Sequence, residues 1–302
     1  MKKFLGSFFF SLLAGSSVLL AQGGIKVNDL PPFEISQYIK PLSTYFGTYF
    51  NTGNYYSADV SNTFGFRFSI VAMWSVVPED QKTFKPNPKL DGVGNIDESA
   101  TVFGNKGSYF LSNQGFVVYP TGLALKAVPL GTYQVAASLY NTELMLRFFP
   151  KSNFEDAKAG LFGIGLKHEI SSHFPLLPID ISVQLFYNTL DFEYQGAEID
   201  EYAKISSKNF AFNVHASKSF MGTFIVYGGL QYESSVMDLG YYFSDPNELY
   251  PEYIGKQDLE IDGDNNIRLT LGGAIKLGVF VINADMNVTK FTTFSAGLSL
   301  DF

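Results

Sequence analysis

Cysteine is absent from the 302 residues. That excludes disulfide frameworks, thiolate metal sites, cysteine nucleophiles and the lipid-bearing cysteine of a bacterial lipoprotein. Tryptophan occurs once and histidine three times; without an HExxH pair, no metal site is expected, and no cofactor. Basic residues are outnumbered, 21 against 29 acids, so there is no electrostatic footprint for nucleic acid. After the N-terminus no run approaches the ~18 to 20 continuous apolar residues of a spanning helix. Against these absences stand 30 phenylalanines and 18 tyrosines. Such an aromatic excess suits membrane strands, in which only every second residue of about 9 to 11 meets lipid.

The chain opens MKKFLGSFFFSLLAGSSVLLAQ, two lysines followed by an apolar stretch and the small residue Ala21. This pattern predicts a secretory signal peptide over 1–21, cut after Ala21. Its loss removes two lysines and no acid, leaving the mature chain more acidic than the −8 of the whole.

From residue 63 onward the sequence alternates with period two. Phe64, Phe66, Phe68, Ile70, Ala72 and Trp74 share one face, and Gly65, Arg67, Ser69, Val71, Met73 and Ser75 the other. The pattern recurs around Tyr133–Leu139, Leu144–Phe148, Phe162–Leu166, Ile179–Tyr187, Phe210–Ala216, Phe224–Tyr232, Ile267–Leu271, Phe280–Val288 and Phe294–Phe302. Ten strands are counted. Long links after the first, third, fifth and seventh alternate with short ones, as in bacterial barrels with short periplasmic turns. The second face, rich in Gly, Ser, Asn and charge, suits a wet lumen, and Trp74, Tyr187 and Tyr232 suit membrane interfaces. The expected fold is therefore all-β: a transmembrane antiparallel up-and-down barrel of about ten strands, with ten to fourteen allowed by an extra hairpin in the 77–131 link. A soluble sandwich is the competing reading of alternation alone.

Residues 22–62 do not alternate. Ile35, Tyr38, Ile39 and Leu42 share a helical face, which Pro41 is expected to interrupt. The segment reads either as a plug within the lumen or as a cap on the barrel base. DGDNN, from Asp262, resembles the start of a calcium loop without the distal glutamate, and is expected to be a solvated turn.

The lumen-lining candidates are Arg67, Glu143, Arg147, Lys167, Asp180, Gln184, Glu233, Arg268 and Asp285. In an open pore they would set the field on a solute; in a closed barrel they would pair with one another. His168, His173 and His215 are far apart in sequence and accompany no nucleophile motif, so no enzyme is expected.

IKPLSTYFGTYFNTG (from Ile39), TELMLRFFP (from Thr142) and LFGIGLKHEI (from Leu161) resemble a family of bacterial outer-membrane proteins known only as a domain of unknown function. More distantly the chain is similar to the long-chain fatty-acid transporter barrels, although it lacks their Asn-Pro-Ala hatch motif and their fourteen strands. The last strand is similar to the assembly signal of outer-membrane proteins. These likenesses imply an outer-membrane monomer, in contact with membrane lipid and lipopolysaccharide, inserted by the assembly machinery through Phe302. The function expected is a gated pore or transporter for a small solute, hydrophobic ones included. The alternative is a closed structural or surface-interaction barrel acting through its outer loops.

Overall fold

The computed structural model describes residues 29–92, 98–154, 157–174, 176–196 and 202–302; the expected signal peptide, 1–21, lies outside the described residues. Ten antiparallel strands close into a barrel: β1 (Gly65–Val76), β2 (Ala127–Leu139), β3 (Thr142–Phe154), β4 (Ala157–Glu169), β5 (Asp180–Gln195), β6 (Tyr202–Phe220), β7 (Phe224–Phe243), β8 (Ile267–Leu277), β9 (Phe280–Val288) and β10 (Thr293–Asp301). Each pairs with its neighbour in sequence, and β10 closes on β1 in a register that sets Trp74 opposite Phe294, their rings stacked at 5.6 Å. Phe302 continues the ladder: its amide and carbonyl exchange hydrogen bonds with Phe66.

The period of two decides which side chains meet lipid. Phe64, Phe66, Ile70, Trp74, Leu185, Phe212, Leu230, Leu269 and Leu298 all stand exposed on the outside. From Phe64 to Trp74 this belt rises roughly 25 Å at the usual strand tilt, the height of a lipid-facing band. Closure satisfies every wall ladder internally, which a lipid environment requires. At the Phe302 end three of the four turns are short, the exception being 170–179; Tyr140 and Asn141 both take positive φ, the mirror-type two-residue hairpin turn that matches strand twist. The two longest links, 77–126 and 244–266, lie at the other end, although the link expected to be long after the third strand is short, with β3 ending at Phe154 and β4 starting at Ala157. By the asymmetry of bacterial barrels the Phe302 end is taken as periplasmic and the opposite end as outer. On the outer side β5, β6 and β7 run to 16, 19 and 20 residues, rising past the belt into polar contacts such as Lys208–Asp238 at 2.9 Å.

The 77–131 link does contain an extra hairpin, Ser108–Leu111 with Phe116–Tyr119, but it belongs to an outer cap and not to the wall, so the wall count stays at ten. The eighth wall strand is broken instead. A separate strand, Gly255–Asp262, pairs with the outer half of β7, and the chain then bends inward through 263–266 before β8.

Inside the barrel stands α1 (Pro32–Phe50), with Pro32 in the first turn, where no amide partner is lost. Contrary to the sequence expectation, Pro41 does not interrupt it. A proline removes one helical hydrogen bond, and here wall and cap packing on a nearly fully buried helix outweighs that loss. The Leu30 carbonyl accepts from Tyr241 Oη at 3.2 Å near the outer end of β7, whereas Tyr140 and Asn141 donate to the carbonyls of Asn62 and Ser61 at the periplasmic turn. Residues 30–62 therefore thread the whole lumen from the outer end to the periplasmic end.

Candidate functional site

The lumen has two tiers. In the outer half most inward positions are apolar, with Ser75, Thr293, Ser207 and Ser235 as buried polar exceptions: Met73, Leu130, Leu190, Ile205, Met237 and Leu239 pack in one core with Ile35, Tyr38, Leu42, Tyr45, Phe46 and Tyr49 of α1. Each such burial is worth about 1.5 to 3 kcal/mol before the entropy of ordering the helix is subtracted. Gly47 lies where a Cβ would sit 2.4 Å from both Ser235 Oγ and Asn265 Nδ2, so the helix approaches the wall more closely than any larger residue allows. The DGDNN stretch makes this contact. Asp264 accepts from Lys40 Nζ at 3.0 Å and its amide donates to Thr44 Oγ1, while Asn265 is buried between Ser235 and Glu233. The expected solvated turn holds for Asp262, Asp264 and Asn266, which stay exposed, while Asn265 is buried and the bend takes partners from α1.

In the inner half the inward positions are mostly polar, interrupted by two small apolar clusters, Ala136, Met145, Phe186 and Ala211 on one side and Ile225, Ala274 and Val281 with Tyr55 and Tyr56 on the other. The chain beyond α1 has no regular secondary structure of its own. Its buried carbonyls need donors from elsewhere, and the wall supplies them. Arg147 gives its guanidinium to the carbonyls of Phe50 (2.5 Å), Thr52 (2.8 Å) and Gly53 (3.1 Å) and to Asn54 Oδ1 (2.8 Å). Asn188 donates to Phe50 O, Gln231 to Asn51 O, Gln134 to Gly53 O and Gln184 to Asn54 O. Farther down, Lys167 reaches Ser57 O, Ser182 reaches Ala58 O at 2.5 Å, and Glu169 accepts the Val60 amide at 2.9 Å. Tyr55 stacks on His215 with centroids 3.8 Å apart. Tyr56 donates to Asp301 Oδ2 at 2.5 Å and lies under the Arg67 guanidinium.

The nine candidates all face inward. Eight are buried, and Asp180 is half-buried at the periplasmic mouth, 3.4 Å from Ser217 Oγ. Glu143 sits between Arg67 (2.8 Å) and Lys167 (3.4 Å), and Glu233 pairs with Arg268 at 2.8 Å. Arg268 also reaches the Thr48 carbonyl and the Thr52 hydroxyl. Asp285 is held by Tyr227 Oη and Asn287 Nδ2. Pairing within the wall therefore accounts for five of the charges, and Arg147 stands apart: among the described residues its hydrogen-bond acceptors are all plug atoms. Of the inward amides only Gln184 is among the sequence candidates; Gln134, Asn188 and Gln231 escaped because the other eight were chosen by charge, although the inward register already contained them.

Above the belt the outer cap closes over the helix start. Glu34 is 1% exposed, and its Oε1 accepts from Tyr119 Oη at 2.9 Å and from the Asn87 amide at 2.8 Å. Burial raises the Glu34 pKa above the ordinary carboxylate value, more than these hydrogen bonds and the charge of Lys89 lower it. An acid whose folded pKa is raised stabilises docking most when it is protonated, and that contribution fades as pH rises through the raised value. Amide exchange of 85–90, corrected for its intrinsic pH dependence, is expected to quicken as the pH rises above the ordinary carboxylate range in the native chain and to lose this dependence in Glu34→Gln. Equal pH dependence in both would contradict the assignment.

Below the plug a vestibule of ≈ 700 Å³ opens to the periplasmic side, lined by Asp59, Arg67, Glu169, Asp180, Lys276 and Asp301 among others.

Comparison with solved structures finds distant likenesses. The β domain of the Bordetella autotransporter BrkA aligns over 79% of this chain and 99% of its own, at 8% identity and a TM-score of 0.33. The outer membrane protease OmpT of Escherichia coli aligns over 83% and 99%, at 10% identity and 0.33. The translocator domain of the autotransporter NalP of Neisseria meningitidis aligns over 87% and 94%, at 10% and 0.31. Likenesses of this size say nothing of activity. No curated protein matches the sequence. The chain, a ten-stranded β-barrel filled by its own N-terminal segment, belongs to the Family of unknown function (DUF6588), whose model matches residues 1–302.

Proposed function

We propose that the barrel is a gated conduit for a small solute, shut at rest by residues 30–62, and that it performs no catalytic step. One observation carries this reading: the wall's buried cation Arg147 has its hydrogen-bond acceptors on the plug. A ten-stranded barrel meant only to be closed can fill its lumen with wall side chains. Here the inner half keeps a polar lining that is satisfied through a separable segment, so withdrawal of that segment leaves a lumen water can fill. Because the chain has no cysteine, the gate can be locked cleanly. Ser57 and Ser217 hydroxyls lie 3.3 Å apart, plug against wall. With both replaced by cysteine, the reduced protein should show channel openings in a planar bilayer, and oxidation should silence them reversibly. A protein silent in both states, in cells whose solute uptake is unchanged by its loss, would end the pore reading.

A second reading rests on the cap, where Tyr109, Leu111 and Phe116 stand exposed on the outer hairpin. In it the closed barrel is a platform for surface contacts. Protease shaving that removes binding while leaving permeability unchanged would favour this one.

A further inference from the structure

The identity of the groups that meet inside the inner tier narrows the solute. Arg147, Asn188, Gln231, Gln134, Lys167 and Ser182 are donors of four chemical kinds, and each ends on a main-chain carbonyl of the plug. The complementary contacts follow the same rule: the amides of Ala58 and Val60 donate to Ser217 Oγ and Glu169 Oε2. The wall thus reads an irregular polypeptide through its backbone, over the span from Phe50 to Val60. A carbonyl and an amide at every residue are common to all peptides apart from the missing amide of proline, so such a site tolerates sequence. Plug side chains add a second set of contacts: Asn51, Thr52, Asn54 and Ser57 hydrogen-bond to wall groups, Tyr55 stacks on His215 and Tyr56 donates to Asp301. A purely apolar solute would leave these buried donors unsatisfied, at a cost of about 1 to 3 kcal/mol each.

From this we propose that the lumen is a peptide-binding site, and that the solute passed when the plug withdraws is a short extended peptide that takes over the plug's backbone hydrogen bonds. The proposal rests on the gated-conduit reading and names its substrate class.

The test uses the full-length protein with Ser57→Cys, whose buried thiol reports plug withdrawal through its rate of maleimide labelling. Four probes are added separately: a synthetic peptide of residues 50–60, the same residues in scrambled order, maltotriose, and laurate. A ligand that binds only the open lumen raises the open population in proportion to its concentration over its dissociation constant, so about a tenfold faster labelling is expected at roughly ten times that constant. Both peptides should accelerate labelling to within about threefold of one another, and the sugar and the fatty acid should not. Acceleration by maltotriose or laurate with none by either peptide overturns the proposal. So does acceleration by the native-order peptide alone, which would mean that side chains and not backbone are read. Bilayer recording on the same preparation separates the two levels: openings without any peptide effect defeat the peptide site while sparing the conduit, and no openings under any condition defeats the conduit itself.

Discussion

Replacing Arg147 with alanine is expected to loosen the plug more than any other single change in the lumen. The guanidinium is fully buried, lies 5.0 Å from the Phe186 ring centroid, and satisfies three carbonyls and one side-chain amide oxygen of residues 50–54. Its removal takes the wall donor from the Thr52 carbonyl and Asn54 Oδ1, while the Phe50 and Gly53 carbonyls keep Asn188 and Gln134; hydrogen bonds to a charged group contribute about 1.5 to 3 kcal/mol each. Water entering the vacated space recovers part of this, so the net loss of plug docking should be about 3 kcal/mol, on the order of a hundredfold in the withdrawn population. Maleimide labelling of Ser57→Cys should rise accordingly, and the barrel wall should keep its thermal stability, because the four acceptors belong to the plug. Arg147→Lys, which keeps the charge but cannot fork between several acceptors, should fall between the two. If Arg147→Ala lowered barrel stability without raising labelling, the residue would be a wall element and not a latch.

The second large effect is expected at Glu143. Its carboxylate is the shared counter-ion of Arg67 and Lys167, all three buried at the inner end of the lumen. Glu143→Gln removes the charge with little change of shape and strands two cations. Breaking a buried pair from one side costs about 3 to 5 kcal/mol. The neighbouring vestibule admits water, which favours the lower figure. For a barrel of this size that corresponds to a fall in melting temperature of roughly 10 °C, read by the shift between folded and heated forms on a gel. The double variant with Lys167→Gln should recover part of the loss, since removing cation and anion together leaves one stranded charge instead of two. Additive losses would show that the pair is not coupled.

Much of the wall could be read in the sequence because lipid and lumen are opposite environments and a strand shows them to alternate residues. Phe64 to Trp74 and Gly65 to Ser75 separate on that ground alone, and the inward charges follow from the same register. What fills the lumen was less legible. The inner tier binds the plug through its main chain, and main-chain carbonyls leave no trace in composition; the matching donors Gln134, Asn188 and Gln231 look like ordinary polar positions. The path of α1 through Pro41 depends on packing from every side, which no local propensity contains. The same holds for the inward bend at 263–266, whose Gly263, Asp264 and Asn265 read as a turn until Thr44 and Gly47 are placed beside them. The direction of threading, outer end first, likewise comes from long-range partners such as Leu30 with Tyr241.

The account stands on residues 30–62 lying within the lumen of the folded barrel in the membrane. In intact cells, where the envelope favours disulfides, a chain carrying Ser57→Cys and Ser217→Cys should form an intramolecular bond detectable as a reducible shift in mobility. The control pairs Ser57→Cys with Ala216→Cys, one residue along β6 and facing the opposite side of the wall. Bond formation at 217 and not at 216 is the predicted result; no bond at 217, or equal bonds at both, would place the segment outside the barrel and contradict the account.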